Sequence, residues 1–112
     1  YTVQVEIQPQ SVEILSEDLL TSFSLNGNYP NPFNGETIIS YAIPEDGFVN
    51  ISIFNVAGQF VTSLVDDYQL HGEKKVFWDT KDAIGKHVPS GIYYYVVSNG
   101  IYKKARTMTL LK

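Results

Sequence analysis

The stretch TIISYAIPEDGFVNISIFN, residues 37–55, decides the fold of this chain. Apolar and polar residues alternate on both sides of a short turn. Successive side chains of an extended chain point to opposite faces, so this alternation is typical of β-strands that bury one face. Pro44 ends the first strand, and Glu45-Asp46-Gly47 forms the turn. The inward side chains of the two strands are predicted to be Thr37, Ile39, Tyr41, Ile43, Val49, Ile51 and Ile53.

The same period of two runs through the rest of the chain. Residues 2–8 alternate strictly, which predicts a possible N-terminal strand, and the alternating residues Lys74, Val76 and Trp78 place Trp78 in the core as its large anchor. Six strands are expected after residue 35, with turns at Ala57-Gly58, Asp66-Asp67, Gly72 and Asn99-Gly100. The sequence therefore predicts an all-β protein, an immunoglobulin-like antiparallel β-sandwich of about seven strands.

A segment rich in turn-forming residues, 26–35, precedes these strands. Pro30 and Pro32 remove two backbone donors and favour extended backbone at the residues before them. We expect this segment to form a stiff strap across the sandwich rather than a strand of a sheet. Its aromatic residues, Tyr29 and Phe33, are predicted to plug the end of the sandwich.

Length and composition set the domain organisation. The chain has 112 residues, which suits one domain. It opens in a strand-like segment at Tyr1, with no signal peptide and no apolar run of membrane-spanning length, so we expect a fragment of a longer protein. Residues 1–24 are interpreted as the tail of a preceding domain plus a linker, and residues 25–112 as the sandwich.

Charge and residue types exclude several functions. There are no cysteines, which removes disulfides, thiolate nucleophiles and cysteine-based zinc sites. The net charge of −4 argues against a nucleic-acid-binding domain. His71 and His87 stand alone in polar loops, and Asp79 and Asp82 are expected to cap turns. No catalytic, metal or cofactor-binding residues are predicted, and the chain is not expected to be an enzyme.

Tyrosines near the C-terminus leave a second function open. A sugar-stacking platform could use Tyr93, Tyr94, Tyr95 and Tyr102. Alternation, however, places Tyr93 and Tyr95 on one face of a strand and Tyr94 on the other. Part of this set is therefore expected to belong to the core.

An ordered series of motifs resembles a known family. The strap residues Tyr29, Pro30, Pro32 and Phe33 are followed by residues 37–44 and 49–58, then by Trp78-Asp79, the run from Val88 through Gly91 to Tyr93, and the terminal residues 103–112. Over residues 25–112 this series resembles the C-terminal sorting domain of the type IX (Por-type) secretion system. That family is related to the immunoglobulin-like domain of the flagellar hook-capping protein.

The resemblance implies a non-catalytic role in export. Such domains direct a larger secreted protein through the periplasm to the outer surface of Bacteroidetes-type bacteria or to the medium. The implied partners are the outer-membrane translocon, a sortase-like transpeptidase and the cargo domain of the same chain, with no cofactor. The alternatives are a structural spacer and an accessory module that binds glycans. The resemblance places translocon recognition on the last strand, at Lys103, Lys104, Ala105, Arg106, Thr107, Met108, Thr109, Leu110, Leu111 and Lys112.

Overall fold

The computed structural model describes residues 24–112, and the regular structure of this part of the chain consists of β-strands alone. Alternating apolar residues and short turns account for each strand. The seven strands are β1 (Ser24–Tyr29), β2 (Thr37–Ile43), β3 (Gly47–Asn55), β4 (Phe60–Gln69), β5 (Gly72–Trp78), β6 (Gly91–Asn99) and β7 (Tyr102–Leu110). Within the described residues no helix is long and apolar enough to cross a membrane.

The strands form two antiparallel sheets. One has three strands in the order β1-β2-β5, and the other has four in the order β4-β3-β6-β7. The inward side chains of both sheets form a single core between them. The predicted all-β, immunoglobulin-like antiparallel sandwich is confirmed.

The core is centred on the predicted tryptophan. Trp78 is 1% exposed, and its ring centroid lies 5.8 Å from that of Phe33 and 5.5 Å from that of Tyr93. Tilted and edge-on ring pairs at these distances stabilise a core beyond their buried area. The predicted inward residues of β2 and β3 are all buried: Thr37, Ile39, Tyr41, Ile43, Val49, Ile51 and Ile53.

The prediction that Tyr29 plugs the sandwich was wrong, because β1 contains a bulge. Residues 26–29 belong to β1 rather than to the strap, and the register shifts between Leu25, which is buried opposite Tyr41, and Gly27. One extra residue reverses the alternation, so Tyr29 pairs with Ile38 on the outward face and is 82% exposed. The strap therefore begins at Pro30, and Phe33, which is 2% exposed, is its plug.

Two turns differ from the sequence-based expectation. Asp66-Asp67 does not end a strand, because β4 continues to Gln69 and the Asp66 carboxylate accepts a hydrogen bond from Asn50 Nδ2 at 3.1 Å. The last hairpin turns one residue later than expected. Asn99 pairs with Tyr102, so the two-residue loop is Gly100-Ile101, and Gly100 adopts a φ of 64° that suits glycine.

The N-terminal predictions lie outside the described residues. They concern the possible strand over residues 2–8. The division of the chain at residue 24 stays a prediction.

Candidate functional site

The last strand, β7, lies at an edge of the four-stranded sheet. It pairs with β6 in an unbroken register from Gly91 opposite Leu110 to Asn99 opposite Tyr102. An edge strand presents alternate N–H and C=O groups away from its sheet, where another extended segment can pair with them. The ten residues predicted for recognition therefore fall on a strand edge and the two residues that follow it.

These ten residues consist of a buried stretch with exposed residues on either side of it. Met108 and Leu110 are 1% and 0% exposed and complete the core. Thr109 between them is half-buried, while Leu111 and Lys112 follow the strand and are exposed. The five preceding residues are all exposed: Lys103, Lys104, Ala105, Arg106 and Thr107.

The strap covers the edge of the buried part. The Phe33 N–H donates to the Thr109 carbonyl at 3.0 Å, and the Leu111 N–H donates to the Phe33 carbonyl at 2.8 Å. The Thr109 N–H donates to Asn31 Oδ1 at 3.0 Å. The strap thus pairs with the end of β7 in parallel fashion and satisfies its outward main-chain groups.

The strap is itself held by a buried hydroxyl. Thr37 is fully buried, and its Oγ1 donates to the Pro30 carbonyl at 2.8 Å while accepting from Asn28 Nδ2 at 3.1 Å. Because of these two hydrogen bonds, the start of β2 positions the segment that covers the end of β7. Both strap prolines follow cis peptide bonds.

The other motif residues hold the loops beside the core. Trp78 Nε1 donates to the Lys81 carbonyl at 2.9 Å, and the Lys81 N–H donates to Asp79 Oδ1 at 3.1 Å. The Tyr93 hydroxyl donates to the Pro89 carbonyl at 2.6 Å, and burial raises the pKa of Tyr93. Gly91 opens β6 opposite Leu110, with a φ of 155°. These contacts fit the structural role predicted for Trp78, Asp79, Gly91 and Tyr93.

Charge is unevenly distributed along the chain. Residues 1–23 carry four acidic and no basic residues, whereas residues 24–112 carry eight of each, so the net charge of −4 comes entirely from the first 23. Three of the eight basic residues lie in the exposed part of β7, at Lys103, Lys104 and Arg106. Away from β7, His71 Nδ1 lies 2.8 Å from Asp46 Oδ1.

Histidines and acidic residues elsewhere serve turns. Asp82 Oδ1 accepts from the N–H groups of Ile84 and Lys86 at 3.1 and 2.9 Å, which confirms its capping role. The His87 ring lies 3.2 Å from the hydroxyl of Thr80. Within residues 24–112 no three side chains of metal-ligating type form a cluster.

The four tyrosines do not share one surface. Tyr93 and Tyr95 are 4% and 0% exposed, while Tyr94 and Tyr102 are each 36% exposed. The sequence analysis missed a different aromatic row on the outer face of the four-stranded sheet. There Phe54 is opposite both Tyr94 and Phe60. The alternation of β3 and β6 was the signal that places Phe54 and Tyr94 outward.

A comparison with protein families identifies the domain. The family model of the secretion system C-terminal sorting domain matches residues 28–110. The chain belongs to this family. The match spans the strap, the core and β7 but not the first 27 residues. No curated protein matches the chain in sequence.

Solved structures share the fold at low identity. Dimeric latent PorU from Porphyromonas gingivalis aligns with a TM-score of 0.65 at 20% identity, over 80% of this chain and 9% of that one. PorZ from the same organism aligns at 0.54 and 20% identity, over 80% and 12%. FlgD from Xanthomonas campestris, a protein of flagellar hook capping, aligns at 0.56 and 22% identity, over 88% and 74%. The chain thus spans only a small part of the first two proteins.

Family membership establishes the general role. The domain is a sorting signal of a secretion system, and it interacts with the machinery of that system. The protein that carries it is secreted or displayed on the cell surface.

Proposed function

We propose that this domain directs its parent protein from the periplasm through the type IX outer-membrane translocon, after which a sortase-like transpeptidase removes it and the cargo is attached to the surface or released. The observation that carries the proposal is the family match over residues 28–110. The fold supports it, since PorZ, a surface component of the type IX system, contains a region with this architecture.

The proposal assigns recognition to the last strand and the residues after it, Lys103–Lys112. An edge strand offers main-chain hydrogen bonds to a partner sheet, which is a general way to bind an extended segment. Its core residues Met108 and Leu110 fix the register of the strand, so the exposed residues occupy defined positions.

The proposed role needs no chemistry from the domain itself. Asp79 and Asp82 accept backbone hydrogen bonds, and His71 is paired with Asp46. We therefore propose that cleavage is carried out by the transpeptidase and that the domain acts as its substrate.

Deletion of the last strand tests this assignment. A periplasm-targeted reporter fused to the whole chain is expected at the surface of a type IX-competent bacterium, and deleting Lys103–Lys112 is expected to leave it in the periplasm. Export of the truncated fusion at the level of the intact one would contradict the proposal.

Loss of folding needs a separate control, because the deletion removes Met108 and Leu110 from the core. Ile51→Ala in β3 also weakens the core, by about 2–5 kcal/mol, but leaves β7 intact. We expect this variant to be exported where the deletion is not. Equal loss in both would assign the effect to folding and overturn the role given to the strand.

A structural spacer is the competing function. The same sandwich also occurs in FlgD, a hook-capping protein, so the fold by itself does not require a sorting role. A spacer would leave the intact reporter fusion in the periplasm.

A further inference from the structure

The contact between the strap and the end of β7 joins the two ends of the sorting domain. Phe33 forms a parallel bridge with Leu110, and Asn31 Oδ1 accepts a hydrogen bond from the Thr109 N–H. The family match begins at residue 28 and ends at residue 110, so both partners of this contact lie within it. The contact is therefore a feature of the matched region itself.

The two residues after β7 are held by groups outside their own strand. The Leu111 N–H donates to the Phe33 carbonyl at 2.8 Å, and the Lys112 N–H donates to Ser90 Oγ at 2.9 Å. The side chains of Leu111 and Lys112 are nevertheless exposed. The last residues of a domain fray unless something ties them down. The strap and the loop before β6 thus fix the main chain of two residues whose side chains are exposed.

The strap is anchored in the core, which favours the position that the structure shows. Phe33 is 2% exposed, and its ring centroid lies 5.8 Å from that of Trp78. The main chain that pairs with Thr109 and Leu111 belongs to this same residue, so opening the strap would expose a buried ring to water. We therefore expect a partner of the folded domain to meet the strap in place.

A small polar network holds the start of the strap. Asn28 Nδ2 donates to Thr37 Oγ1 at 3.1 Å, and Asn28 Oδ1 accepts from the Tyr95 hydroxyl at 3.3 Å. Thr37 Oγ1 donates in turn to the Pro30 carbonyl at 2.8 Å. Because Asn28 and Thr37 lie in one sheet and Tyr95 in the other, the network fixes the strap relative to both sheets.

We propose that Asn31 and Thr37 are positioning residues for recognition, and that through the strap they hold residues 109–112 in the arrangement that the secretion machinery binds. This inference rests on the proposed function and adds that the machinery binds a folded end rather than a flexible peptide. A partner of an ordered segment does not have to order it first. Its apparent affinity falls with the fraction of molecules in which the segment is ordered.

Two double variants of the reporter fusion test this role. Asn31→Ala with Thr37→Val removes the acceptor for Thr109 and the hydroxyl for Pro30. It is expected to lower surface delivery by about tenfold, the result if the ordered end is present in about one molecule in ten. The matched control, Asn31→Asp with Thr37→Ser, keeps both hydrogen-bonding groups, loses a methyl group from the core and is expected to be delivered normally. Equal delivery of the two variants would overturn the proposal.

Hydrogen exchange of the full chain separates positioning from a general loss of stability. In Asn31→Ala with Thr37→Val, the amides of Thr109 and Leu111 are expected to exchange at least about tenfold faster, the effect of one lost hydrogen bond on local opening, and the amides of β3 less so. Ile51→Ala weakens the core of β3 and leaves the strap unchanged, so it is expected to retain delivery. Equal loss of delivery in Ile51→Ala, or slow exchange at Thr109 in a variant that is not delivered, would contradict the proposal.

An engineered disulfide tests whether the strap stays in place during recognition. The chain has no cysteine, so Asn34→Cys with Leu111→Cys introduces a single pair. These residues follow Phe33 and Leu110 in the parallel register and line one shallow depression. Neighbouring strands lie about 5 Å apart, within reach of a disulfide, and a thiol count verifies that the bond has formed. We expect equal surface delivery with and without a reductant, whereas delivery of the reduced form alone would show that the strap has to open.

The positioning role and the sorting role fail separately. If deletion of residues 103–112 blocks export but Asn31→Ala with Thr37→Val is delivered like the intact fusion, the positioning role is wrong while the sorting role of the strand stands. If the deletion itself is exported, the recognition assigned to the strand fails, and the positioning role fails with it.

Discussion

Trp78 is the residue on which the core depends most. It is 1% exposed, contacts the rings of Phe33 and Tyr93, and donates a hydrogen bond from Nε1. We expect Trp78→Ala to lower the free energy of unfolding by about 3–5 kcal/mol, measured by denaturant melts. The neighbouring Phe77 is 50% exposed, and Phe77→Ala is the control with a change below about 1 kcal/mol. A loss below about 1 kcal/mol for Trp78→Ala would contradict the packing described.

Asp46 ties the turn between β2 and β3 to the loop after β4. The His71 N–H donates to its Oδ1 at 2.7 Å, and this bond, with the His71 ring, holds the pKa of Asp46 below its ordinary value. A lowered folded-state pKa contributes stability above the ordinary pKa, and that contribution is lost as pH falls through the lowered one. We expect Asp46→Asn to weaken the pH dependence of stability below about pH 4. An unchanged acid profile would contradict this.

Tyr95 makes stability sensitive to alkali. Burial raises its pKa, partly offset by nearby Arg106, and its hydroxyl lies 3.3 Å from Asn28 Oδ1. A raised folded-state pKa gives stability that is present below the ordinary value, about 10, and is lost as pH rises beyond it. Tyr95→Phe is expected to reduce the loss of thermal stability at high pH, whereas Tyr68→Phe, at a 65% exposed position, is not. Equal behaviour of the two variants would contradict this.

At the scale of the elements, the alternation of apolar and polar residues predicts where the strands lie, but it predicts poorly where each strand ends. β2 and β3 were predicted with the correct inward faces, because each buries one side against the same core. Tyr29 was misplaced because a bulge between Leu25 and Gly27 reverses the face, and Gly27, which has a φ of 103° at this shift, is the local signal of the bulge. Asp66 and Asp67 look like a turn but lie within β4, where pairing with β3 outweighs their local preference.

A pair of proline variants tests the main-chain directions of β7. The Ala105 N–H points away from β6, so Ala105→Pro removes no bond of the β6–β7 ladder and is expected to change the free energy of unfolding by less than about 1 kcal/mol. The Arg106 N–H points toward Tyr95 in β6, so Arg106→Pro removes a bond of the ladder and is expected to cost about 1–3 kcal/mol or more. Denaturant melts of both variants measure the difference. The reverse order would show that the main-chain directions of β7 are assigned to the wrong residues.

For the whole molecule, the sequence analysis proposed a recognition segment but did not predict that its residues differ in burial. Residues 103–112 were predicted as one recognition segment. The structure separates them because the strap, which lies far earlier in the chain, pairs with Thr109 and Leu111. Such a contact depends on how the two sheets bring distant segments together, and local periodicity carries no information on it.

We propose that these 112 residues are sufficient to send a protein out of the cell. The most direct measurement fuses a periplasm-targeted reporter to the whole chain and fractionates a type IX-competent bacterium and the same strain without its secretion channel. We expect reporter at the surface or in the medium of the competent strain and in the periplasm of the channel mutant. Reporter retained in the periplasm of both strains would contradict it.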